Sequence, residues 1–211
     1  MDLGELWRYP VKSMAGERLD RALAGFGGLE GDRVVHVRRP DGRIATARTY
    51  PGLLGHKAVL GKDGEPLVDG RPWSDPSVAA EVERIVGRGA RLVRDDSGDR
   101  FDVLPLLVAT DGAIEALGRD GRRLRPNILI RGVEGLAERG WEGRRLRIGE
   151  VVIGLEDLRD RCVMTTYDPD TQVQDVSVLR DIVTRFEGKL ALNARVLRGG
   201  VLSVGDQVEL L

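Results

Sequence analysis

The chain has 211 residues, and its 33 basic and 34 acidic side chains leave a net charge of −1, which excludes a bulk polycation built for nucleic acid or an anionic membrane. A hydrophobic fraction of 41% and a charged fraction of 32% describe a globular chain, not a disordered one. One cysteine, Cys162, and two histidines exclude an intramolecular disulfide, a cysteine-ligated iron–sulfur cluster and a zinc site of ordinary composition.

In chain order, the first hundred residues read as strands and turns. Leu3–Tyr9 alternates apolar and polar before Pro10, and Arg33–Val37 is a β-branched run. An Asp41-Gly42 turn then leads into Ile44–Ala47, a hairpin pattern. Asp63-Gly64 and Asp69-Gly70 mark further turns, and Asp75-Pro76 opens a helix to about Val86 with Val78, Val82, Ile85 and Val86 at helical spacing. Arg91–Arg94 is a short strand, and the polar stretch Asp95–Asp99 is the expected domain boundary. Leu104–Ala109 is an apolar strand, after which Thr110 or Asp111 caps a helix to about Leu117. Strands are expected at 127–130, 146–148 and 151–155, and Cys162–Thr166 reads as a short strand or loop edge. Val176–Phe186 is an amphipathic helix on positions 176, 179, 182, 183 and 186. Alternation then returns over 190–196, 201–204 and 208–211. With 28 glycines and 4% aromatics, the expected fold is mostly β with a few helices (α+β), with barrel character.

Familiar catalytic patterns are missing: there is no G-x-S-x-G elbow, no Walker phosphate loop and no G-x-G-x-x-G between strand and helix. His36 lies inside an apolar strand and reads as a structural residue. Cys162 has two readings, as a small buried hydrophobe or as a thiolate favoured by the neighbouring Arg159 and Arg161 guanidinium groups. Arginine supplies 29 of the 33 basic residues, and residues 119–147 carry nine Arg against four acids. That surplus suits bidentate contacts to an anionic ligand, or simply a solvated face in an Arg-biased chain. No run approaches the ~18 apolar residues of a membrane span. The N-terminal MDLGELWRYP also lacks the basic and apolar regions of a signal peptide, so the expected setting is cytoplasmic.

Seven segments in order carry a resemblance: RYPVKSMAGE (8–17), GDRVV (31–35), ATAR (45–48), RPNILIRG (125–132), GWEGRRLRIGEV (140–151), RCVMTTYDPDTQ (161–172) and VGDQVELL (204–211). Together they resemble the MOSC superfamily, in particular its amidoxime-reducing branch with an N-terminal β-barrel domain. The resemblance implies an N-terminal β-barrel-like domain over 1–99 and a MOSC β-barrel domain over 100–211. It also implies a molybdenum cofactor, with Cys162 as the thiolate ligand of the metal, a soft donor suited to a dithiolene-held ion. Lys12, Ser13, Arg33 and Arg48 would approach the cofactor from the first domain, and Thr110, Arg125, Asn127, Arg161 and Asn193 from the second. Asp168 and Asp170 would order the loop after Cys162. Two positions depart from the family pattern: Leu124 stands where an aromatic is common, and Ala191-Leu192 replaces Phe-Gly. The implied activity is reduction of small N-oxygenated molecules with electrons from a separate donor protein, with no nucleic acid or membrane as partner. Two alternatives are a sulfur carrier or cofactor-handling module using a Cys162 persulfide, and a binding barrel without redox function.

Overall fold

In the computed structural model residues 1–211 are described except 96, 98 and 99, so the expected boundary at Asp95–Asp99 falls partly outside the described residues. Among the described residues seventeen strands and three α-helices follow one another, the mostly β architecture expected. The largest sheet gathers eight strands from both ends of the chain: β1 (Asp2–Arg8), β2 (Glu17–Leu19), β11 (Leu106–Thr110), β12 (Ile128–Arg131), β13 (Arg145–Ile148), β14 (Val151–Asp160), β15 (Lys189–Arg198) and β17 (Val208–Leu210). Their spatial order is β17-β13-β14-β15-β11-β12-β1-β2. Only β11 and β12 run parallel, joined through the helix α2 (Asp111–Leu117), as a parallel connection requires a crossover.

The sheet curls towards a barrel without closing. The turn before the end strand β17 comes against β1, the last strand but one at the other end, where the Leu3 amide donates to the Asp206 carbonyl and the Gly205 amide donates to the Leu3 carbonyl, beside a single bridge between Asp2 and Gln207. No ladder joins the terminal strands β17 and β2 among the described residues, and each has three residues, too short to complete a seam. The barrel character expected is therefore realised as a curled sheet that stays open among the described residues.

Three three-stranded sheets complete the fold. One joins β10 (Arg91–Arg94), β5 (Val35–Arg38) and β6 (Ile44–Ala45); another joins β7 (Ala58–Leu60), β8 (Pro66–Val68) and β9 (Arg71–Pro72). The third joins β16 (Gly200–Ser203) to β3 (Arg21–Gly25) and β4 (Gly28–Leu29), so the end of the chain is tied to its beginning. His36, on β5, is fully buried. Burial and the Arg38 charge hold its pKa below the ordinary value, in keeping with the structural role read from sequence.

Apolar side chains divide into layers. Leu3, Leu6, Val108, Ile128, Ile130, Ile153 and Leu192 fill the core of the large sheet, while Val11, Val35, Val37, Leu53 and Val68 pack beneath α1 (Pro76–Val86). That helix starts where sequence places it, with the Asp75 carboxylate accepting from the Ser77 amide and Pro76 in its first turn. The last helix, α3 (Val176–Phe186), presents a different stripe from the one expected. Val178, Ile182 and Phe186 pack on Leu117 and Leu124, whereas Val176 and Val183 face outward. An i, i+4, i+8 stripe is narrow enough to seat on α2, and the broader apolar face has no layer to cover it.

Thr110 needs a correction. It caps α2, its hydroxyl oxygen accepting from the Ala113 amide at 3.2 Å and donating to Glu138 at 3.2 Å. Both side chains are fully buried, and burial pushes the Glu138 carboxyl above the ordinary range. Thr110 is not among the residues around Cys162, because the helix start fully engages its hydroxyl. Thr110→Val is expected to cost about 1–2 kcal/mol through the lost cap, read by thermal denaturation, and to leave ligand binding at Cys162 unchanged. Impaired ligand binding at native-like stability would restore Thr110 to the site.

Candidate functional site

Cys162 lies where β14 ends and a 3₁₀ turn, Val163–Thr166, begins. Its backbone carbonyl accepts from the Thr165 amide at 3.0 Å and the Thr165 hydroxyl at 2.9 Å, so this turn, not the short strand or loop edge expected, fixes the residue. The side chain makes no capping bond and faces a cavity of about 100 Å³. Around that cavity stand Lys12, Ser13, Arg33, Arg48, Arg125, Asn127, Arg161 and Asn193. Every expected site residue except Thr110 is therefore brought together.

Backbone strain helps to shape the cavity. Ser13, Arg33 and Arg125 have φ values of 70°, 55° and 55°, in the left-handed region that non-glycine residues rarely adopt. Such strain survives only where surrounding contacts over-determine it. At Ser13 the hydroxyl accepts from the Ala47 amide at 3.0 Å, bracing the loop that presents Arg48. At Arg33 the amide donates to the Tyr9 carbonyl at 2.8 Å and the guanidinium pairs with Asp32. At Arg125 the guanidinium donates to the Met14 carbonyl at 2.7 Å and lies 4.2 Å over the Tyr9 ring, a cation–π contact.

Seven cations line the cavity against two carboxylates, Asp102 and Asp160. Arg123 pairs with Asp168 at 2.9 Å, and Asp168 also accepts from the amides of Asp170 and Thr171, the loop-ordering role expected of it. Asp102 gathers Lys12, Arg48 and Arg159. Burial alone would raise its pKa, but the Lys12 hydrogen bond and the three cationic charges outweigh burial and hold the carboxyl below its usual range. Burial likewise works against the Arg48 charge, and Asp102 and the Cys162 sulfur outweigh it.

Arg125 and Arg161 lean on backbone carbonyls: the Arg161 guanidinium donates to Leu124 at 2.6 Å, and its Nε is buried without a hydrogen-bond partner. Burial pulls both guanidinium pKa values down to about 10, so both stay charged near neutrality in surroundings that solvate them poorly. Such groups gain most from an arriving anion.

Asn127 and Asn193 line the wall with their amides already engaged. Asn127 accepts from the Leu107 amide and donates to Trp7 and Asp32; Asn193 accepts from Arg159 and donates to Asp157. Asn127 thereby joins the first half of the chain to the second, and Asn193 ties β15 to β14. Three further residues belong here that sequence reasoning misses: Asp102, Arg123 and Tyr9, the last of which reads only as a strand end. For Tyr9 the available signal is its place beside Pro10 and Lys12; for Asp102 it is a carboxylate next to an aromatic, just after the expected boundary.

A second groove, of about 330 Å³, lies on the far side of Arg123, Arg125 and Met164, which line both spaces. Trp7, Tyr9, Leu54, Tyr167 and Pro169 give it an apolar wall. Among the described residues no helix is long and apolar enough to cross a membrane.

The chain is similar to proteins already known. Mitochondrial amidoxime reducing component 2 of Macaca fascicularis is 27% identical over 231 residues, spanning 82% of this chain and 68% of that protein. The Homo sapiens protein of the same name is 26% identical with the same coverage. The crystal structure of the YUAD protein from Bacillus subtilis shares the fold over 99% of this chain and 94% of its own, with a TM-score of 0.52 at 15% identity. The family model of the MOSC N-terminal beta barrel domain matches residues 1–94, and that of the MOSC domain matches residues 111–209. With the two matches in tandem over nearly its whole length, the chain belongs to the MOSC family, in the form that carries the N-terminal MOSC domain.

Proposed function

We propose that the protein is a molybdenum cofactor-dependent reductase of small N-oxygenated molecules. The observation that carries this reading is Cys162, one soft donor in a cavity with two guanidinium groups, Arg125 and Arg161, whose hydrogen bonds among the described residues go to backbone carbonyls and to no carboxylate. The residues present fit the cofactor. The orphaned Arg161 Nε calls for an acceptor, the sulfur suits a soft metal, and the cation surplus suits a phosphate. The similarity to amidoxime reducing components supports the reaction class.

In this reading Cys162 ligates the metal. Lys12, Ser13, Arg33 and Arg48 hold the cofactor from the 1–99 unit, and Arg125, Asn127, Arg161 and Asn193 hold it from the 100–211 unit. The chemistry supplied by the cofactor when bound is two-electron removal of oxygen from nitrogen, with two protons taken up and the oxygen leaving as water. The protein's own task is to fix that centre, exclude competing donors and admit substrate beside Cys162. Electrons come from a separate donor protein, and the setting is cytoplasmic, where a lone thiol stays reduced.

The test is elemental analysis of purified protein together with turnover of an amidoxime by an artificial reductant. Near-stoichiometric molybdenum with turnover is expected. A molybdenum-loaded sample that reduces no N-hydroxylated substrate would sink the reading, and metal-free protein bearing a persulfide on Cys162 would replace it with sulfur transfer.

A further inference from the structure

Three cations from separate parts of the chain converge on one carboxylate. Lys12 Nζ lies 2.7 Å from one oxygen of Asp102. Arg48 reaches the other oxygen at 2.5 Å, and Arg159 approaches that same oxygen at 3.6 Å. Lys12 follows β1, Arg48 follows β6 and Arg159 sits near the end of β14, so no local turn explains their meeting. Asp102 belongs to the segment Arg100–Leu104, which lies outside every strand and leads into β11. The segment is pinned at its start, where the Arg100 guanidinium donates to the carbonyls of Gly27, Asp32 and Ser97. It is pinned at its end by β11. Between these points Val103 is 55% exposed, and the Asp102 side chain is 30% exposed. The middle of the segment is held over the cavity by these ion pairs and by the Phe101 ring, which lies 4.5 Å from the Arg100 guanidinium and 6.0 Å from that of Arg33.

We propose that Asp102 is the internal counter-anion of a cradle for a phosphate monoester, formed by Lys12, Arg48 and Arg159, and that the arriving phosphate displaces it. A carboxylate brings one negative charge, whereas a phosphate monoester brings about −1.5 to −2 and three acceptor oxygens near neutral pH. Three cations from three directions match the phosphate better. The two anions cannot share the cradle, because like charges a few ångströms apart repel strongly. Of the contacts given up, the one to Arg48, 44% exposed, reaches solvent and contributes little to stability; those to Lys12 and Arg159, 10% and 18% exposed, are costly to break, and the phosphate oxygens must replace them. The pinned ends let the middle of the segment swing outward without disturbing β11. Asp102 thereby keeps mutually repelling cations together and yields its place to a ligand that carries more charge. The proposal rests on the reading of this cavity as the cofactor's site, but phosphate binding needs no molybdenum, so its failure and the failure of the reductase reading are distinguishable.

The experiment is calorimetric titration of the full-length metal-free protein, and of its Asp102→Asn variant, with phenyl phosphate and inorganic phosphate. Hydrogen exchange over residues 100–104 is followed in parallel for the wild type. The variant is expected to bind phenyl phosphate about tenfold tighter, a change of ~1.4 kcal/mol, with its melting temperature confirming that it is folded. Phenyl phosphate is expected to bind no worse than inorganic phosphate and to speed exchange at 101–104. Equal or weaker binding by Asp102→Asn would make Asp102 a positioning residue for the cations and overturn displacement. Protection of 101–104 on binding, or no binding by either protein, would also overturn it. Preference for inorganic phosphate over the ester would overturn the assignment of the ligand class.

Discussion

Cys162→Ser is expected to strip molybdenum from the purified protein and to cut reductase activity by roughly a hundredfold or more, since even support outside the ligand shell is commonly worth 10–100-fold. The same substitution is expected to leave the melting temperature nearly unchanged. Both expectations follow from how the residue is held. Its position depends on backbone bonds from Thr165, which serine keeps, and its side chain caps nothing. The residue is only partly buried and a serine hydroxyl can still accept from Arg48, the partner of the sulfur, so the exchange should stay within the ~0.5 kcal/mol typical of changes outside the core. For the metal the exchange is severe: a hydroxyl is a hard, neutral donor near pH 7, and the arginines around it would be left facing no thiolate. Elemental analysis, activity and a thermal melt on one preparation distinguish the outcomes. Full activity in the serine variant would refute the role given to Cys162, and a collapsed melt would place it in the core instead.

Part of this site is legible in local sequence chemistry alone. Pro76 after Asp75 and the alternation of β1 are each written within a few neighbouring residues. The segments around Lys12, Arg48, Arg125 and Cys162 resemble a known family closely enough to bring their residues to one place. Other features are carried by distant parts of the chain and leave no local trace. The pairing of β3 with β16 joins residues 21–25 to 200–203, and no periodicity announces it. The left-handed backbone at Ser13, Arg33 and Arg125 has no glycine to mark it, since tertiary contacts impose it. Thr110 is ambiguous because a threonine before a helix reads equally well as a cap or as a ligand contact, and only its bond to Glu138, 28 positions away, decides. Asp102 escapes a sequence reading because its three partners come from three elements. Closure of the large sheet is not legible for a related reason: strand count suggests barrel character, but a ladder needs end strands long enough to pair.

Removing the carboxylate of Asp32 is expected to destabilise the protein more than any change at Cys162. Asp32 is fully buried. It accepts from the Tyr9 amide at 2.7 Å, from the Asn127 side chain at 3.2 Å and from the Arg33 guanidinium. Asp32→Ala leaves all three donors facing a void and deprives a largely buried cation of its counter-charge. Breaking a buried pair from one side costs about 3–5 kcal/mol, which for a chain of this size lowers the melting temperature by roughly 10 °C. Asp32→Asn is expected to fall between alanine and wild type. One amide oxygen can still accept, but the NH₂ group must face a donor, so part of the network stays unsatisfied. Because Asn127 bridges β1 to the strand β12 and lines the cavity, loss of Asp32 should loosen the wall beside Cys162 as well. Molybdenum content should then fall together with stability, and lowering the temperature should recover part of it. Cys162→Ser behaves differently, losing metal at every temperature with the fold intact. If Asp32→Ala melted within a degree or two of wild type, the hydrogen bonds that join the N-terminal strand to the second half of the chain would not be what holds this wall in place. The burden would then pass to the apolar contacts of Leu3, Leu6 and Ile128.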